Sequence, residues 1–150
     1  MKVVIQRVLK SRIIINNEIY SQIKKGLMIL VSFEKLDSIQ DIEWLVNKIC
    51  QLRIFNDNEG LMNLSVNDIN GEIQIVSQFT LHAKIKKGNR PSFILAAKPN
   101  VAQPLYTELI SKFKEKLPGK IRTGKFGANM KIELINDGPV TIIIDTKNKE

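Results

Sequence analysis

The run Leu27-Met28-Ile29-Leu30-Val31 constrains the fold of this chain more than any other feature. It is apolar at every position, whereas a strand with one wet face alternates apolar and polar residues. Following the pattern-breaking Gly26, it reads as a strand buried on both faces. Such a strand needs a layered domain, with further elements packed on each side of it.

The flanking sequence supplies those elements. Upstream, Val3-Val4-Ile5 with Val8-Leu9 reads as one strand and Arg12-Ile13-Ile14-Ile15 as a second. Asn16-Asn17 is a turn signal, and Ile19-Tyr20-Ser21-Gln22-Ile23 follows as an alternating strand. Downstream, Asp37 or Ser38 caps a helix carrying Ile39, Ile42, Leu45, Val46 and Ile49 on one stripe. Asp41 and Glu43 suit the positive N-terminal end of that helix. Arg53-Ile54-Phe55 is a short strand, and Asn56-Asp57-Asn58-Glu59-Gly60 a turn that lacks the twelve-residue ligand pattern of a calcium loop.

The strand pattern resumes at Glu72 and extends through Leu81, followed by a basic loop through Pro91. A second helix starts at Asn100 and places Val101, Leu105, Tyr106, Leu109, Ile110, Phe113 and Leu117 on one face. Pro104 is tolerated near its start, and Pro118-Gly119 ends it. Two final strands, Lys131–Ile135 and Thr141–Ile144, flank a turn at Asn136-Asp137-Gly138-Pro139. The order of four strands, helix, strands, helix, strands predicts one compact mixed α/β domain with largely antiparallel or mixed sheets and two main helices. The domain is expected over residues 1–146, with 147–150 a frayed polar tail.

Composition narrows the function. No apolar stretch approaches the roughly 20 residues of a membrane span, and the N-terminal pattern is interrupted too early for a signal peptide. The lone Cys50 cannot form an internal disulfide, which suits a reducing cytoplasm. A single histidine excludes a multi-histidine metal site, and no cofactor or metal is expected. The net charge of +8 has two readings. One is attraction to a polyanion such as RNA; the other is the Lys, Ile and Asn bias of an AT-rich genome. Lys84, Lys86, Lys87 and Arg90 crowd one loop, and Lys112, Lys114, Lys116, Lys120, Arg122 and Lys125 crowd the segment before the last strands.

Two segments put small polar groups where a strand would carry aliphatic ones: Ser77-Gln78-Phe79-Thr80-Leu81 and Asn136-Asp137-Gly138-Pro139-Val140-Thr141. On an extended strand Gln78, Thr80 and His82 would share a face. A threonine nucleophile needs a base, and His82 is the sole imidazole. Residues two apart on a strand present parallel side chains, so the dyad is weaker than a solvated, strand-end His82.

Taken together and in this order, the two segments resemble the signatures of the D-aminoacyl-tRNA deacylases. The resemblance extends to Ile5-Gln6-Arg7-Val8, Arg53-Ile54-Phe55, Gly60-Leu61-Met62-Asn63-Leu64, Arg90-Pro91-Ser92-Phe93 and Thr123–Met130. Ser32-Phe33-Glu34 stands where Gly-Val-Glu is commoner, and His82 where a small residue is usual; Gly127 and Asn129 replace Ala and Asp.

The resemblance implies a homodimer acting on aminoacyl-tRNA, with active sites at the subunit interface. Ser77, Gln78, Phe79 and Thr80 would hold the terminal adenosine and its ester, with backbone N–H groups of Phe79 and Thr80 facing the oxyanion. Gly138 and Pro139, joined by a cis peptide, would reach in from the partner and exclude L-aminoacyl groups sterically. D-Aminoacyl and glycyl esters would both be cleaved. Arg7 would brace the Gly-Pro segment, Phe126 and Met130 would line the adenine pocket, and Asn136 and Thr141 would support the second signature. Two rival readings remain: a basic RNA-binding module without catalysis, and a Thr80-dependent hydrolase of small esters.

Overall fold

The computed structural model describes residues 1–149. Its elements are β1 (Lys2–Ile15), β2 (Glu18–Ile23), β3 (Gly26–Ser32), α1 (Ile39–Gln51), β4 (Phe55–Asn56), β5 (Met62–Leu64), β6 (Glu72–Ser77), α2 (Pro99–Lys116), β7 (Ile121–Thr123) and β8 (Lys131–Asp145). A single 3-10 turn, Phe79–His82, follows β6. The main sheet has the order β2-β1-β3-β6-β7, with β8 on β1, and β4 pairs with β5 in a separate ribbon. β3–β6 and β6–β7 are parallel, while the pairs made by β1 are antiparallel. The fold is thus a mixed α/β domain with two helices, as the element order predicts.

The apolar run that forms β3 is covered on both faces. Leu27, Ile29 and Val31 are fully buried in the cluster that includes Ile42, Leu45 and Ile49 of α1 and Leu109 and Phe113 of α2. Met28 points the other way, into a smaller cluster with Val8 and Ile23, flanked by Ile132 and Leu134 of β8. Each such buried aliphatic side chain stabilises the fold by roughly 1.5–3 kcal/mol. Gly26 is required where β3 meets β6, because a Cβ there would lie 1.8 Å from the Glu72 carbonyl oxygen.

Ser38 is the N-cap of α1, in a capping box with Asp41. Burial opposes ionisation of Asp41, but hydrogen bonds from Lys147 and Ser38 outweigh it and hold the carboxyl down to about 2. Cys50 packs against the core, and burial pushes its thiol up to about 11, leaving it protonated and inert.

Several features depart from the sequence reading. The two strands expected before Asn16 are one strand, β1. Its polar middle stays in the sheet because the Ser11 hydroxyl donates to Gln74 Oε1 at 2.6 Å in the interior. The two strands expected around Asn136–Pro139 are likewise one, β8. Between the pairs Val8–Asn136 and Gln6–Thr141, β8 takes five steps where β1 takes two, so three residues bulge out instead of reversing the chain.

The strand expected to reach Leu81 ends at Ser77. Within the expected tail 147–150, Lys147 Nζ lies 2.9 Å from Asp41 and 3.4 Å from Asp37 and Lys149 stands 4.5 Å over the Trp44 ring, while Glu150 lies outside the described residues. β5 and β7 carry no clear strand pattern, and β4 begins at Phe55 rather than Arg53.

Candidate functional site

The ends of the parallel strands β3 and β6 open into a cleft of about 620 Å³. Clefts at the carboxyl ends of parallel strands are the usual ligand sites of such sheets. Val31, Ser32 and Phe33 line it from β3 and Val76, Ser77, Gln78 and Phe79 from β6 and beyond. Phe93, Ala96 and Ala97 close one side, and Phe126 to Met130 the other.

The turn over the cleft has a local cause. β6 stays in register with β3 up to the pair Val31–Ser77, and the Gln78 N–H still donates to the Val31 carbonyl at 2.7 Å. Gln78 then leaves extended geometry (ψ 81°), and Phe79–His82 coil into the 3-10 turn. The Phe79 ring, 57% exposed, meets Phe93 edge-on with centroids 5.1 Å apart. The Phe79 and Thr80 N–H groups open this turn, where backbone donors have no intrahelical partner. The Gln78 side-chain amide donates to the Thr80 hydroxyl oxygen. Thr80 itself is exposed and does not line the cleft.

His82 is no strand-end residue in solvent. It is 1% exposed, with Nδ1 2.6 Å from Ser32 Oγ and Nε2 2.9 Å from Glu34 Oε1. Nδ1 contacts Ser32 and Nε2 faces Glu34, neither toward Thr80, so the Thr80–His82 dyad does not form. Among the described residues no imidazole is left to activate Thr80.

The second signature is built separately. Asn136 Oδ1 accepts from the Val140 N–H at 2.9 Å, and Asn136 Nδ2 reaches Thr141 Oγ1 at 3.2 Å, bracing the bulge across its mouth. Arg7, 6% exposed, holds the bulge from beneath: Nε donates to the Asp137 carbonyl at 3.0 Å and Nη1 to the Ile54 carbonyl at 2.7 Å. The Gly138–Pro139 peptide is cis. Gly138 has φ +132°, and a Cβ there would meet Arg7 Nη2 at 2.9 Å and Val140 Cγ2 at 2.8 Å. That position is open to glycine alone. Gly138 and Pro139 are exposed and do not line the cleft of their own chain.

The structure therefore groups Ser77, Gln78, Phe79, Phe126 and Met130 around one cleft, and Arg7, Asn136, Gly138, Pro139 and Thr141 around a bulge outside it. Sequence reasoning missed Ser32, Phe33, Ala96 and Ala97 as cleft residues; only their place at the end of an apolar run or before a helix hinted at them. The basic clusters differ too. Lys112 lies 3.7–3.9 Å from Glu43, Glu108 and Glu115, whereas Lys84, Lys86, Lys87 and Arg90 are exposed beside the Phe93 wall.

Comparison with known proteins fits this geometry. A D-aminoacyl-tRNA deacylase of Flavobacterium psychrophilum is 59% identical, and one of Bacteroides fragilis 55%, each over the full length of both chains. Among solved structures, the c-Myc DNA Unwinding Element Binding Protein superposes with a TM-score of 0.92 at 38% identity, covering 97% of this chain and 98% of that one. A probable eukaryotic D-amino acid tRNA deacylase shares the fold, with a TM-score of 0.80 at 19% identity over 95% of this chain and 97% of that one. The family model described as D-Tyr-tRNA(Tyr) deacylase matches residues 4–145, and the chain belongs to that family.

Proposed function

We propose that this chain is a D-aminoacyl-tRNA deacylase, which hydrolyses the ester between a D-amino acid and the terminal adenosine of tRNA. The observation that supports the reading is the turn at Phe79–His82, which follows β6 beside a cleft lined by Ser77, Gln78, Phe79, Phe126 and Met130. In this reading the adenine lies against Phe126 and Met130, and Ser77 and Gln78 flank the ester. Water attacks the ester carbonyl, the acyl–oxygen bond breaks, and the ribose oxygen leaves with a proton. Phe79 and Thr80 N–H groups stabilise the oxyanion, a contribution of about 3 kcal/mol per donor. The neighbouring ribose hydroxyl of the substrate assists the water, in keeping with a Thr80 that has no base.

Chiral choice rests on a second copy of the chain. Gly138 and Pro139 project from the surface and miss their own cleft, so they suit insertion into a partner's. There the Gly138 carbonyl would hold the substrate amino group, and an L side chain would collide with the Gly-Pro backbone. A D side chain would point to solvent, and glycine has nothing to clash, so glycyl-tRNA is also a substrate. The exposed Lys84–Arg90 loop suits phosphate contacts that position the acceptor stem without reading bases.

The test is deacylation of D-Tyr-, L-Tyr- and Gly-tRNA across a range of protein concentrations. Cleavage of the first and third, with activity following dimer content, is the expected result. Cleavage of none would leave the RNA-binding reading, and a fully active monomer would refute the partner's role.

A further inference from the structure

The deacylase reading leaves one buried titratable cluster without a task. His82 ends the turn that carries the oxyanion donors, and its ring is sealed between Ser32 and Glu34. The Nε2 contact with Glu34 is short, but the ring N–H is not aimed along it, so Nε2 has no directed hydrogen bond. The Ser32 hydroxyl also donates toward the Phe79 carbonyl oxygen at 3.3 Å, and Ser32 lines the cleft.

The directions depend on where the ring carries its proton. In the neutral tautomer with the proton on Nε2, on the side of the Glu34 carboxylate, Nδ1 is bare. Ser32 has one hydroxyl proton to share between the Phe79 carbonyl and, in that tautomer, Nδ1, and the shorter contact, 2.6 Å, is the one with Nδ1. When the ring gains a second proton, Nδ1 becomes a donor to Ser32 Oγ. The Ser32 proton must then turn to the acceptor left within reach, the Phe79 carbonyl. That carbonyl belongs to the same planar peptide unit as the Thr80 N–H, so a pull on one end tilts the other.

We propose that His82, acting through Ser32, is a positioning residue for deacylation. Its neutral ring keeps the Phe79–Thr80 peptide oriented toward the oxyanion, and its protonation turns that peptide away. The inference rests on the deacylase reading above. The groups facing the ring favour the neutral state. Burial depresses its basicity most; Glu34 acts against that, Lys2 of β1 and the Met1 amino group add to it, and Asp37 opposes it. A histidine depressed on folding contributes stability above the ordinary imidazole range, and that contribution is lost as pH falls through the folded value.

Because His82 is the only histidine, its imidazole resonances identify themselves in an NMR titration. The expected result is an Nε2–H tautomer at pH 7, a midpoint below the ordinary imidazole range, and a Thr80 amide shift that titrates with it. Across that midpoint kcat for D-Tyr-tRNA should fall about tenfold with KM unchanged. His82→Ala should lower kcat at pH 7, and adding Ser32→Gly should recover part of the loss and abolish the acid step, a coupling seen in the double-mutant cycle. A Thr80 amide that stays still through the His82 titration overturns the proposal, as does an acid step that survives in the double variant. Covalent labelling of Ser32 by a fluorophosphonate also overturns it, because Ser32 would then be a nucleophile. A wild-type chain that leaves D-Tyr-tRNA intact removes the deacylase reading instead, and the Thr80 amide titration still decides the switch.

Discussion

The two polar segments of this chain look alike in sequence and fold into opposite things. Ser77–His82 ends its strand, coils once, and is sewn to the neighbouring parallel strand by the Gln78 N–H and the Ser32–His82 contact. Asn136–Thr141 leaves its strand for three residues and rejoins it, carried by the Asn136 clamp and by Arg7. One segment faces a cleft of its own chain; the other projects from the surface. The difference teaches that a polar break in an apolar pattern reports only that the ladder is interrupted. Whether the strand stops or bulges depends on what its partner strand does. β7 pairs with β6 only as far as Ile75–Thr123 and β3 ends at Ser32, so β6 runs out of partners at Ser77, whereas β1 flanks β8 on both sides of the bulge.

The strongest way to break this contrast is at Gly138. Gly138→Ala forces a Cβ against Arg7 and Val140 at a positive φ. If the bulge supplies the chiral gate, kcat/KM for D-Tyr-tRNA should fall about a hundredfold, the cost of a misplacement near 1 Å. The turn at Phe79–His82 should be undisturbed, which amide chemical shifts would report.

Arg7→Lys tests the bulge's support next. A lysine cannot serve the Asp137 and Ile54 carbonyls together in the planar geometry of a guanidinium. Urea unfolding should show a loss of about 2 kcal/mol, from one buried acceptor left without its donor. An unchanged midpoint would mean the bulge holds itself.

The turn should be far more tolerant of side-chain loss. Thr80→Ala keeps the backbone N–H and should retain activity within about tenfold, the worth of one hydrogen bond. A tRNA ending in 2′-deoxyadenosine should be the crippled reactant instead. An inactive Thr80→Ala protein that folds normally, with full turnover of the deoxy substrate, would restore Thr80 as nucleophile.

Salt separates the two regions most gently. KM for aminoacyl-tRNA should rise with ionic strength as counterion release is lost from contacts by Lys84, Lys86, Lys87 and Arg90. The ratio of D to L cleavage should stay constant, because a backbone wall carries no charge. A ratio that drifts with salt would assign discrimination to electrostatics.

The parts of the molecule whose physics is local or periodic were legible along the chain. The unbroken Leu27–Val31 run demanded cover on both faces and received it from helices on one side and β8 on the other. Asp37 or Ser38 announced α1, with Ser38 the cap in the structure, and Pro118-Gly119 announced its counterpart's end, because caps and breakers act within a turn of chain. Membership of the deacylase family was legible in the two signatures, since their order and spacing are written in the chain.

What those polar residues touch was settled by folding in three dimensions. Ser11 reads as a strand break until Gln74, sixty-three positions away, accepts its proton inside the sheet. His82 reads as a solvated strand end until the turn swings its ring between Ser32 and Glu34. Periodicity assigns faces to a regular element and is silent where the element changes type, as it does after Ser77. Hydrogen bonds between residues distant in the chain then set direction and burial, and no pattern along one segment encodes them.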